Sequence, residues 1–293
     1  MELPTNVIVL HNERGRNDRF TYAKAMYEGQ AIFIKKATSP ELRLNVRSEQ
    51  TWFNFMRYVS DNFDNTLSSP KLIRSIDDDT LIFEFIEAPH LSDQNQLEPW
   101  QQSLERYVAM LVTLDDAAQQ WLPPTPPDGR KRGLDTVNRW YEWLGDNAPR
   151  VSRLDEAVSV MNETQGNVQI CMQHGDLTPW QIFNDNGHWI IYDGEHAGTD
   201  HGRYQDLAYG YGRLSTILRS PHTASELLHQ FIVKSKVDEA TFAIQFLPVM
   251  LGRAVGMLSD AYNDEPTTDY IAEAEELIDR CLRMDLQALL LNE

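Results

Sequence analysis

The stretch MQHGDLTPWQIFNDNGHWIIYDGEHAG, residues 172–198, decides how the chain is read. It puts two aspartates, Asp176 and Asp193, seventeen positions apart on either side of a short apolar hairpin. Asp176 precedes a turn containing Pro179, which presents its carboxylate at a strand end rather than along a helix. The strand HWIIYD ends on Asp193, so the hairpin is expected to bring both carboxylates to one edge, at a spacing suited to a shared divalent ion. Carboxylates that close repel each other, and a cation removes the cost. A pair of ordinary turn aspartates is the simpler account of the same letters.

Working upstream, QAIFIKKA (30–37) and TLIFEFIEA (80–88) are short apolar runs with β-branched residues and read as strands. The segment between them spaces Val46, Glu49, Trp52, Phe53 and Met56 at helical intervals, which sets Glu49 on or beside the inward face. Transfer of a phosphoryl group from ATP needs a cation on the phosphates, carboxylates that hold magnesium, and a carboxylate that orients the acceptor hydroxyl. Lys35, at the end of the IFI strand, is the candidate cation, and Glu49 is its candidate ion-pair partner. Strand alternation sends Lys35 and Lys36 to opposite faces, so only one of them points inward. Taken alone, a strand lysine and a helix glutamate are ordinary solvated charges.

After Pro89 the pattern turns to long amphipathic helices, with Trp100, Leu104, Val108, Leu111 and Leu114 at intervals of three and four. Helical character stops at PPTPPDG (123–129) and returns at TVNRWYEWL and from about residue 223 onward. The expected architecture is α+β with two lobes. Residues 1–88 would form a small β-rich, nucleotide-binding lobe, and residues 89–293 a larger, mainly helical lobe containing the catalytic hairpin. A net charge of −18 argues against nucleic acid or an anionic membrane as a partner. Two cysteines outside any CxxC pair suit a reducing compartment. No signal peptide is read at the N-terminus, and AIQFLPVMLGRAVGML is interrupted by Gln245, Pro248 and Arg253, so a cytoplasmic location is expected.

His174, Gly175, Asp176, Leu177, Thr178, Pro179 and Trp180, then Ile191, Tyr192, Asp193, Gly194 and Glu195, then Gln205, Asp206, Leu207 and Ala208, resemble the aminoglycoside phosphotransferase and choline kinase family, a small-molecule branch of the protein-kinase-like fold. IFIKKA, SEQTWFNFM and LIFEFIEAPHL resemble the same family's nucleotide lysine, its partner glutamate and its hinge, and the markers run in the family's order from residue 33 to 208. The resemblance implies an ATP- and magnesium-dependent kinase acting on a hydroxyl of a small molecule. It makes Asp176 the catalytic base and Asp193 the principal magnesium ligand, with His174 and Asp206 as scaffold. Lys35 and Glu49 would serve the phosphates, and Phe83 to Glu87, chiefly Glu84, Phe85 and Ile86, would meet adenine.

Three departures from that pattern stand out. Gln181 replaces the usual asparagine as a metal ligand; its amide oxygen has the same chemistry but reaches one methylene further. The phosphate loop NERGRNDRFTYAK (12–24) has a single glycine and no GxGxxG. Gly194 follows Asp193 where many relatives carry a bulky aromatic, while Glu195 is kept as an extra or water-mediated metal ligand. For the acceptor, the acid-rich residues 258–280 and the aromatics Trp140, Tyr141 and Trp143 suit a cationic group, although a solvated helix face and core packing explain the same residues. Two other classes compete. A nucleotide-binding pseudokinase would account for Gln181 and the glycine-poor loop, and a metal-dependent hydrolase would use His174, Asp176, Asp193, His196 and His201 but leaves Lys35, Glu49 and the hinge strand without a role.

Overall fold

Strand Gln30–Ala37 (β3) is the middle of a five-stranded antiparallel sheet that also holds Ile8–Arg14 (β1), Phe20–Tyr27 (β2), Leu72–Ile76 (β5) and Thr80–Glu84 (β6), in the order β1-β2-β3-β6-β5. The structure is a computed structural model that describes residues 8–14, 18–93, 96–123, 141–142, 144–263 and 268–290. One face of the sheet is apolar: Ala23, Ala25, Ile32, Ile34 and Ile82 form a buried cluster, the period-two pattern of strands with one face in a core.

Helix Arg43–Asn62 (α1) buries Val46, Glu49, Trp52, Phe53, Met56 and Val59, the three-and-four spacing read from the sequence. After it, the two-residue strand Leu67–Ser68 (β4) pairs in parallel with His188–Ile191 (β9), which pairs in turn with Ile182–Asp185 (β8). The β8–β9 connection is Asn186-Gly187, both at positive φ (52° and 88°). That is the two-residue turn whose twist matches the flanking strands, and the Asn184 side-chain oxygen accepts the Gly187 N–H at 3.1 Å.

The chain divides into two compact units, residues 1–91 with 180–197, and residues 92–179 with 198–293. The hairpin expected inside the helical lobe therefore groups with the sheet-bearing unit. Its ties there are the β4–β9 pairing, the Trp52 Nε1 bond to the Ile191 carbonyl at 3.3 Å, and the backbone bonds Leu91 N to Ile182 O and Asn184 N to Pro89 O.

The second unit is mainly helical: Leu97–Gln120 (α2), Leu154–Thr164 (α3), Gln205–Gly212 (α4), Pro221–Ser235 (α5), Glu239–Asn263 (α6) and Thr268–Cys281 (α7), with a π turn at Arg213–Ile217. Ile170–Gln173 (β7) and Gly198–Gly202 (β10) form a two-stranded antiparallel ribbon. The stretch AIQFLPVMLGRAVGML lies within α6, which runs through Pro248 as one helix. Residues Glu239–Tyr262 are long and apolar enough to cross a membrane by length and composition, but 78 % of the apolar window is buried inside the protein, as in a core helix. Trp140, Trp143 and the glycine of the phosphate loop lie outside the described residues, and Tyr141 is exposed.

Candidate active site

In the first unit the site is built on Lys35. Residue parity in β3 turns Lys35 inward, where it is 2 % exposed, and turns Lys36 outward toward Asp79. Three carboxylates meet the Lys35 ammonium: Glu49 Oε2 at 2.8 Å, Asp193 Oδ1 at 2.8 Å and Glu195 Oε2 at 3.1 Å. The ring of Phe20 closes the cluster, its centroid 4.6 Å from Nζ. Burial opposes the charge on Lys35, but Asp193, Glu49 and Glu195 outweigh it and hold the ammonium well above its ordinary pKa. Glu49 is 1 % exposed; burial, together with Asp193 and Glu195, pushes its carboxyl up to about 7 in spite of Lys35.

Asp193 is delivered by the backbone. It sits just beyond β9 at φ 62°, ψ 42°, a left-handed conformation that a non-glycine residue adopts at a cost of roughly 1–2 kcal/mol. Its side chain is 36 % exposed, so the Lys35 contact leaves part of the carboxylate open. Gly194 explains why the next position is not aromatic here. A Cβ on Gly194 would lie 2.5 Å from Trp52 Cβ and 2.6 Å from Trp52 Cγ, so α1 already fills that space with its own indole. Asn45 of the same helix donates to the Glu195 carbonyl at 3.2 Å, which fixes the turn a second time.

Glu195 was expected to face a metal, yet both its oxygens meet basic groups. Oε1 is 3.0 Å from Arg19 Nη1 and 3.4 Å from His196 Nε2, while Oε2 meets Lys35. Burial disfavours its charge, but His196, Lys35 and Arg19 prevail and hold its pKa well below the carboxylate range. Arg19 was not singled out by the sequence. Its only signal was its place among the arginines of the glycine-poor loop, and its carboxylate partner lies 176 residues away.

Gln181 is buried (5 % exposed), and its backbone carbonyl accepts the Tyr192 N–H at 3.1 Å, one residue before Asp193. Among the described residues no group of three His, Cys, Asp or Glu side chains makes a metal cage; the oxygen donor the hairpin leaves partly open is the Asp193 carboxylate. That carboxylate, with a lysine beside it, fits magnesium carried in by a nucleotide, since such ions take few protein ligands and keep substrate phosphates and water. At the hinge, the sheet uses the Glu84 amide (to Lys71 O, 3.0 Å) and the Phe85 amide (to Ala31 O, 3.1 Å), and the Glu84 carboxylate accepts the Lys71 amide at 2.8 Å. Lys24 covers the Phe85 ring at 3.7 Å. Ile86 is the first hinge residue beyond the sheet.

In the second unit, β7 leads into His174, Gly175 and Asp176. The Asp206 carboxylate accepts the His174 amide at 2.8 Å and the Gly175 amide at 2.7 Å, and the Asp206 amide donates to Gln173 Oε1 at 3.1 Å. Burial raises the Asp206 pKa although His174 and both amides favour its anion. Gly175 takes φ 97°, a turn suited to glycine. His174 is fully buried with Nδ1 2.9 Å from Asp176 Oδ1, and Asp176 keeps 21 % of its side chain exposed. The Tyr107 hydroxyl, which the sequence did not single out, donates to the Leu177 carbonyl at 2.8 Å and pins the loop from α2. The loop is thus held by hydrogen bonds from Asp206 and Tyr107 while the Asp176 side chain stays partly open.

The fold has counterparts among solved structures. Choline kinase LicA from Streptococcus pneumoniae superposes with a TM-score of 0.60 at 14 % identity over 94 % of each chain. A thermostable mutant of the aminoglycoside phosphotransferase APH(4)-Ia, in ternary complex with AMP-PNP and hygromycin B, gives 0.60 at 12 % over 95 % of each. Amicoumacin kinase hAmiN, in complex with AMP-PNP, Ca2+ and Ami, gives 0.60 at 15 % over 96 % of this chain and 89 % of its own. The chain has the kinase-like two-lobe fold of these structures. At these identities the likeness carries the fold alone. No protein-family model matches the sequence, and no curated protein matches it.

Proposed function

We propose that the chain is an ATP- and magnesium-dependent phosphotransferase of the aminoglycoside phosphotransferase and choline kinase family, acting on a hydroxyl of a small molecule. One observation carries the reading: a buried lysine held by a helix glutamate and bonded at 2.8 Å to a partly open aspartate at a hairpin end. A hydrolase has no use for that lysine, whereas a nucleotide site needs it against the phosphates.

The roles follow from the geometry of each part. Lys35, oriented by Glu49, binds nucleotide phosphates, and Asp193 with Gln181 holds the metal, which neutralises phosphate charge when bound. Glu195, engaged by Arg19 and Lys35, orients the lysine and meets the metal through water at most. Backbone groups around Ile86 meet the base. Asp176 accepts the proton of the acceptor hydroxyl, with His174 and Asp206 fixing its position. A cytoplasmic site of action suits an enzyme that draws on ATP and carries two buried free cysteines.

The test is ATP consumption by the purified protein, with and without magnesium, across a panel of small alcohols. Gln181 favours a second reading, nucleotide binding without transfer; calorimetric binding of magnesium nucleotide with no turnover on any alcohol would select it.

A further inference from the structure

We propose that Arg19 is a phosphate-binding residue of the nucleotide site, working beside Lys35 in place of part of a glycine-rich loop. Naming the ligand as a nucleotide rests on the phosphotransferase reading; the anion site itself stands on geometry within the first unit.

Arg19 immediately precedes β2, and its side chain reaches Glu195, 176 residues away. Glu195 spans two cations: Oε1 is 3.0 Å from Arg19 Nη1, and Oε2 is 3.1 Å from Lys35 Nζ. One carboxylate therefore holds the guanidinium beside the ammonium. Arg19 is fixed at its backbone too, where its carbonyl accepts the Thr38 amide at 3.1 Å and the Thr38 hydroxyl at 2.7 Å. Its guanidinium centre is 5.5 Å from the ring centroid of Phe20, the same ring that lies 4.6 Å from Lys35 Nζ. A side chain held in this way loses less freedom when it binds.

The cluster opens to solvent at two of its members. The side chains of Lys35, Glu49 and Glu195 are 3 %, 2 % and 9 % exposed, whereas those of Arg19 and Asp193 are 37 % and 36 % exposed. Of the two open groups, the arginine is the one that attracts an anion. An ion pair with one partner so exposed adds little to stability, so holding the fold is a weak account of it. A guanidinium is a planar fork of N–H donors, and one that meets a carboxylate through Nη1 keeps donors for a phosphate oxygen.

The sequence supplies the need for such a group. Protein kinases cover the nucleotide phosphates with a glycine-rich loop. Here residues 12–24 contain a single glycine and end inside β2. Arg19 lies in that segment, and its fork offers phosphate the donors that backbone amides supply elsewhere.

Calorimetry in the presence of magnesium, with adenosine, ATP and inorganic tripolyphosphate, tests the assignment. Arg19→Gln is expected to weaken ATP and tripolyphosphate by roughly tenfold or more and to leave adenosine within about twofold. Arg19→Lys, which keeps the charge without the fork, should lose less, and it stands in if the glutamine variant does not fold. Arg19→Gln in a Glu195→Gln background separates direct contact from an effect passed through Glu195 to Lys35. Direct contact predicts a further loss of several fold in that background. Unchanged ATP affinity in Arg19→Gln, an equal loss for adenosine, or a loss that vanishes in the Glu195→Gln background overturns the proposal. The first of these, in a protein that still transfers phosphate from ATP, leaves the kinase reading intact. Arg19-dependent binding of tripolyphosphate by a protein that binds no ATP does the reverse, and a wild type that binds neither removes both.

Discussion

Lys35 Nζ and Asp193 Oδ1 are joined at 2.8 Å, so the residue proposed for the phosphates and the residue proposed for the metal are in direct contact. On the proposed function, a magnesium nucleotide would enter an existing ion cluster in which Asp193 already holds its left-handed turn.

Removing the cation from that cluster should be severe. Lys35→Met leaves Glu49 buried against two other carboxylates, and the expected loss is about 3–5 kcal/mol, the range for breaking one side of a buried pair. Glu49→Gln in the same background should recover part of it. Urea denaturation of the two single variants and the double variant measures the coupling; simple additivity would mean that the pair is not a unit.

Gly194→Ala should destabilise by about 1–3 kcal/mol, since its Cβ would overlap Trp52 of α1. Trp52→Ala is costly by itself, but adding Gly194→Ala to it should cost far less than in the wild type. An unchanged increment in urea melts would show that the indole is not what excludes a side chain.

The thiols give a pH dependence with a definite sign. Burial pushes both Cys171 and Cys281 up to about 12 from the ordinary 9.0. A pKa raised on folding contributes stability that is fully present below the unfolded value and is lost as pH rises through the folded one. Stability should therefore fall between about pH 9 and pH 12, and both cysteines should resist a thiol reagent at pH 8.5 until denaturant is added. Rapid labelling of the native protein would contradict this.

Gln181→Asn should retain measurable transfer, because it keeps an amide oxygen, whereas Gln181→Leu should lose most of it. Magnesium titrations of ATP turnover read the difference. Unchanged magnesium dependence in Gln181→Leu would remove Gln181 from the metal site.

Much of this architecture is legible in the letters because it is local. Period-two alternation turns Lys35 inward and Lys36 outward, and helical spacing puts Glu49 on the buried side of α1. What the letters hide depends on distant partners. The hairpin's place with the sheet unit rests on Leu67 pairing with Trp189, a two-residue strand too short to have a pattern. Glu195 reads as an extra or water-mediated metal ligand in the letters, which do not reveal that Arg19 and Lys35 meet it from the sheet. In the acidic run near the C-terminus, Asp260, Glu273 and Asp279 are paired with Arg253, Arg219 and Arg153. Neither helical period nor charge count reveals such pairings.

The most direct test compares wild type with Asp176→Asn in magnesium-dependent phosphoryl transfer and in calorimetric nucleotide affinity, using an alcohol on which the wild type turns over. The base acts on the acceptor and Lys35 with Asp193 on the nucleotide, so Asp176→Asn should abolish transfer, by a factor of roughly 10² or more, while nucleotide affinity stays within a few fold. Undiminished transfer in Asp176→Asn, or a wild type that binds no magnesium nucleotide, would contradict the account.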